Sequence, residues 1–151
     1  MSYGLHSSAA TVTSARPRTY FSLRRANRAL VLVRRIVADL VAEYARAMEL
    51  QEILDLERRC GWAGSVEGLR DSLTASVERI RRFVGELDAV GVRLHDFGSG
   101  AVDFPAKVGG REVCFCWRLD EQQISYWHGP DGEADGRRPL AELTGTVGRA
   151  D

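Results

Sequence analysis

The sequence predicts an α+β fold, a long antiparallel helical hairpin followed by a small antiparallel β-sheet of three to four strands packed on the helices. Three observations lead there. Apolar residues recur in heptads from Leu23 to Val90, interrupted by the glycine-bearing segment "CGWAGS". Gly91 then ends the periodicity, and residues 92–128 alternate apolar and polar side chains about a Gly109-Gly110 pair.

In chain order, residues 1–20 hold Ser, Thr, Ala and Arg with no acid and no apolar h-region, so they are expected to be a disordered tail. Helix one, about 23–59, places Leu23, Leu30, Val37 and Tyr44 at one heptad position and Ala26, Val33, Leu40, Ala47 and Leu54 at the other. Ser22 is its N-cap. Val31, Leu32, Ile36 and Val41 lie off that seam, which predicts a second covering surface. Ser65 caps helix two, about 66–90, whose seam holds Val66, Leu73, Ile80 and Leu87 with Leu69, Ser76, Phe83 and Val90. Broad seams of unequal length predict self-association through the hairpin as a homodimer, completing a four-helix arrangement.

The sheet is expected over about 92–128. A two-residue turn at Gly109-Gly110 sets Lys107 opposite Glu112, Phe104 opposite Phe115, Asp103 opposite Cys116 and Val102 opposite Trp117. Val102, Phe104, Ala106, Val113, Phe115 and Trp117 then form the core face. With an even number of residues in the next turn, Ile124 and Tyr126 join that face and Trp127 falls on the opposite one. His128 is then on the core side or beyond the strand, where Asn27 of helix one is its expected partner. The single domain is expected over 21–140, with 141–151 a C-terminal tail.

Several function classes are set aside by composition. No apolar run approaches the roughly 20 residues of a membrane-spanning helix. Cys60, Cys114 and Cys116 have no disulfide-framework spacing, so a reducing cytoplasm is the expected location. Residues 1–60 carry 10 basic and 6 acidic side chains, yet the arginines lack interleaved aromatics, so nucleic-acid binding through helix one ranks third among the functions.

The open face of the sheet is the candidate ligand surface, with Asp103, Glu112, Cys116, Arg118, Glu121, Trp127, His128 and Arg137 as its residues. Arginine forks bind carboxylate or phosphate bidentately, so Arg118 and Arg137 point to a small anion. Lys107 and Glu112 read as a cross-strand charge pair. Cys114 and Cys116 project from one face of a flat strand with His95 and Asp103 as possible neighbours, a conceivable metal site, whereas structural zinc sites space their cysteines two to four residues apart on a turn. No metal or cofactor is therefore expected. A nucleophilic cysteine with His128 as its base is opposed by the strand parity.

Ala26-Asn27-x-x-Leu30, "DFPA" (Asp103 to Ala106), "GREV" (Gly110 to Val113), "CWRL" (Cys116 to Leu119), "YWH" (Tyr126 to His128) and "GRRPL" (Gly136 to Leu140) form a further pattern. In these motifs the chain resembles a bacterial domain-of-unknown-function family, the one numbered twenty-two-oh-three, over residues 20–140. The resemblance implies a small cytoplasmic bacterial protein with helices followed by a sheet. Two readings of function stand ahead of nucleic-acid binding. One is a non-enzymatic oligomeric binding or scaffold domain whose open sheet face takes a small anionic ligand or protein partner. The other is an enzyme of unknown reaction using Asp103, Glu112, Arg118, Glu121, His128 and Arg137.

Overall fold

The computed structural model describes residues 19–61, 66–130 and 136–143. Helix α1 runs Leu23–Cys60 and α2 Val66–Val90, within a residue of the bounds read from the heptads. Ser22 caps α1, its hydroxyl accepting the Arg25 N–H at 3.1 Å, and Gly61 ends it in the left-handed region at φ 72°. Gly91, at φ 94°, closes α2 by donating to the Leu87 and Asp88 carbonyls. Ser65, expected to cap α2, lies outside the described residues, as do most of the two terminal tails and residues 131–135.

The heptad residues divide between two clusters. Ala47, Leu54, Leu73 and Ile80 close the far part of the hairpin seam. Leu30, Val33, Val37, Leu40 and Leu87 instead meet the sheet. Of the off-seam residues on α1, Ile36 is buried and Val41 packs against the core, whereas Val31 and Leu32 stay exposed. One polar group sits within the helix contact: fully buried Ser76 donates to Glu43 Oε1 at 2.6 Å, and Arg79 pairs with the same oxygen at 2.9 Å. The Arg79 hydrogen bond is the main reason the Glu43 carboxyl is held below its ordinary range, against the opposing effect of burial.

The sheet has five antiparallel strands in the order β1-β2-β3-β4-β5, one more than the upper expectation. They are β1 Arg93–Asp96, β2 Ala101–Val108, β3 Arg111–Trp117, β4 Tyr126–His128 and β5 Arg138–Pro139. Gly109 and Gly110 adopt φ 60° and 77°, and the β2-β3 register is the one this turn requires, Asp103 facing Cys116 and Phe104 facing Phe115. Val102, Phe104, Phe115 and Trp117 are buried against the helices, each contributing roughly 1.5–3 kcal/mol or more. The turn before β2 also presses on α1, since a Cβ at Gly100 would lie 2.6 Å from Val37 Cγ1.

The β3-β4 connection corrects the expected parity. Phe115 pairs with Trp127 and Cys114 with His128, so an odd number of residues, 117–125, lies between the paired Cys116 and Tyr126. Trp127 accordingly enters the core, and Tyr126 and His128 take the opposite face. The reason lies in one local contact and two distant in sequence. Trp117 Nε1 donates to the Glu121 carbonyl at 2.9 Å, Arg34 of α1 donates to the Gln122 carbonyl, and Asn27 Oδ1 accepts the Ile124 N–H at 3.2 Å. Asn27 therefore anchors this loop instead of meeting His128. Ile124 still reaches the core, from the loop rather than from the strand.

Candidate metal centre

The corrected register gathers chemistry on the face turned away from the helices. Across β2, β3 and β4, Asp103, Cys116 and Tyr126 form one row, and Cys114 and His128 form the next. Alternation of side chains along each strand, with strands roughly 4.8 Å apart, brings these groups together. His128 Nε2 lies 2.8 Å from Asp103 Oδ1, and His95 Nδ1, from β1, lies 3.4 Å from Asp103 Oδ2. One ligand atom from each of Asp103, Cys114 and His128 fits within a mutual spread of 4.8 Å. This part of the face is closed rather than open, with Asp103, Cys114, Cys116 and His128 all buried.

The two nitrogens of His128 decide what the centre can do. Nδ1 lies 2.6 Å from the Gly129 carbonyl, which can only accept, so Nδ1 carries a proton. Nε2 then faces a second acceptor, the Asp103 carboxylate. Either the ring is an imidazolium or a cation takes the Nε2 lone pair. Without a cation, burial is the largest single influence and opposes the imidazolium. The Asp103 hydrogen bond, the Cys116 contact and the charge of Asp103 together outweigh it, raising His128 to about 10. Burial likewise opposes the Asp103 carboxylate, yet hydrogen bonds from His128 and His95 hold its pKa below the ordinary value. His95 is raised by its bond to Asp103. Burial and the neighbouring Asp103 push the Cys114 thiol to about 12. A thiol in that state is a poor nucleophile, which argues against cysteine catalysis even though His128 does share its face.

The other expected site residues fall in three places. Glu112 is at the hairpin end, accepting a hydrogen bond from Tyr20 Oη at 2.5 Å, with Lys107 Nζ 4.6 Å above the same ring. Glu121 and Arg137 form an ion pair, and the Arg118 N–H donates to Glu121 Oε1 at 2.7 Å. Trp127 is the one that leaves the face altogether. Cys114 and His95 were not among the expected site residues. Cys114 was legible from its alternation with Cys116, but His95 depends on the irregular pairing of β1, whose register shifts between Leu94 and Asp96. A groove of about 620 Å³, lined by Tyr20, Phe21, Ser22, Arg24, Arg25, Arg28 and Lys107, shares no residue with the centre.

No helix among the described residues is long and apolar enough to cross a membrane. No curated protein and no solved structure matches the chain. The profile of a family described as "Uncharacterized conserved protein (DUF2203)" matches residues 19–140, and the chain belongs to that family.

Proposed function

We propose that this protein binds one divalent transition-metal ion through Asp103, Cys114 and His128, with His95 as the neighbouring fourth donor. The observation that carries this reading is the grouping of His128 Nε2 with an Asp103 carboxylate oxygen and the Cys114 sulfur within 4.8 Å of one another, while Nδ1 faces the Gly129 carbonyl. Histidines that ligate metals commonly donate the other ring N–H to such a carbonyl. Mixed thiolate, imidazole and carboxylate donors suit zinc, whereas magnesium and calcium take oxygen donors. Zinc bonds of about 2.0–2.3 Å hold tetrahedral donors roughly 3–4 Å apart, so side-chain adjustments of about an ångström suffice.

The test is metal analysis of the purified protein after equilibration with zinc and gel filtration. One zinc per chain is expected, lost in Asp103→Asn, Cys114→Ser and His128→Gln and kept in Cys60→Ser, whose cysteine is exposed. A wild-type protein that retains no metal, or variants that retain as much as wild type, would overturn the proposal.

A second reading concerns assembly. Val31 and Leu32, 71% and 52% exposed on the sheet-bearing half of α1, support self-association through that helix.

A further inference from the structure

We infer that the centre takes a small-molecule ligand bearing an oxyanion, a carboxylate or phosphate group, held by Arg118 and Arg137 beside the ion. The inference rests on the metal reading for the ion but not for the arginines. Arg118 follows Cys116 by two residues, one position beyond the end of β3, so continued alternation would carry it to the face that holds Asp103 and His128. Tyr126 stands directly across from Cys116, and the Arg137 guanidinium lies 4.1 Å above its ring. Tyr126, under the Arg137 guanidinium, is two strand spacings, roughly 10 Å, from Asp103.

Glu121 ties the two residues together, one carboxylate oxygen accepting from both the main-chain N–H of Arg118 and the Arg137 guanidinium. Both Arg118 Nε and Arg137 Nε are buried without an acceptor. A buried donor left unpaired costs about 1–3 kcal/mol, and more on a charged group. Two of them on neighbouring residues, one a guanidinium already held at one edge by Glu121, point to an acceptor that comes from outside the chain. A guanidinium anchored at one edge and stacked on an aromatic ring is set for an oxyanion, whose oxygens accept from its remaining N–H groups. Glu121 acts here as a positioning residue.

The Nε–H resonances of Arg118 and Arg137 report on this directly. Inorganic phosphate and acetate are titrated separately into the full chain, metal-free and zinc-loaded, and followed by ¹H–¹⁵N NMR. Both resonances are expected to shift and saturate below the concentration that moves exposed Arg24, and the tighter anion identifies the group. Arg137→Lys keeps the charge but loses the fork, and it weakens the response at Arg118 roughly tenfold or more. Arg118→Lys does the same at Arg137, and the spectra show whether each variant is folded. No saturable shift with either anion, or unchanged affinity in both folded variants, would overturn the inference. A protein that holds no zinc yet binds phosphate at the arginines refutes the metal reading and leaves the oxyanion site standing. Zinc retained without any anion response refutes the oxyanion site alone.

Discussion

Zinc binding at this centre should release at least two protons per ion at neutral pH. His128 is raised to about 10 and Cys114 to about 12, so both are protonated at pH 7, whereas Asp103, lowered from its ordinary 3.8, is already ionised. Metal ligation requires His128 Nε2 and the Cys114 sulfur to be proton-free. At 1.36 kcal/mol per pH unit, removing these protons at pH 7 costs roughly 4 kcal/mol at His128 and roughly 7 at Cys114. Apparent affinity should therefore climb about a hundredfold per pH unit between about pH 6 and about pH 8. Calorimetry in buffers of different ionisation enthalpy counts the protons, and competition with a chromophoric chelator gives the slope. Cys114→Ser, which loses the zinc, should release no protons when zinc is added. A third proton, at pH values where His95 is still charged, would mark His95 as the fourth ligand. One proton or fewer in the wild type would refute the assignment of Nε2 and Sγ as ligand atoms.

Three further outcomes are expected. In the metal-free protein the raised His128 contributes stability fully below its ordinary 6.5, and this is lost as pH rises through about 10. The lowered Asp103 contributes above 3.8, and its share is lost as pH falls through its folded value. Urea unfolding should thus show stability falling from about pH 6.5 to about pH 10; Asp103→Asn should cost roughly 3–5 kcal/mol at about pH 6 and abolish that slope, and an unchanged slope would contradict the pairing. Gly100→Ala forces a left-handed residue at φ 67° and a Cβ 2.6 Å from Val37, so it should destabilise by about 2–4 kcal/mol in denaturant titration. Light scattering on the 16.7 kDa chain should give a dimer that Val31→Lys with Leu32→Lys converts to monomer without loss of helicity; a monomeric wild type ends that reading.

Both helices were legible almost to the residue, because heptad periodicity, Ser22 and Gly91 act locally. The β2-β3 register was equally legible, since a two-residue turn leaves no freedom in pairing. The β3-β4 connection was not, because its length parity is set by Arg34, Asn27 and Trp117, contacts that span up to 97 residues. That single parity moved Trp127 into the core and brought His128 to Asp103, so these two polar residues were named while their partnership was hidden. Strand β5 left little trace either, being two residues long and including Pro139, which cannot donate to a ladder.

Glu43, Ser76 and Arg79 have a consequence for how the hairpin assembles. A heptad repeat allows two helices to dock seven residues out of step and still match oil to oil. This trio occurs once, like a key cut for one keyway, and any slipped docking strands a carboxylate and a hydroxyl among aliphatic neighbours. The correct stagger at mid-hairpin determines where α2 delivers the chain at Val92, and hence which residue of β1 arrives beside Asp103. A serine well outside the sheet thereby sets the aim of His95.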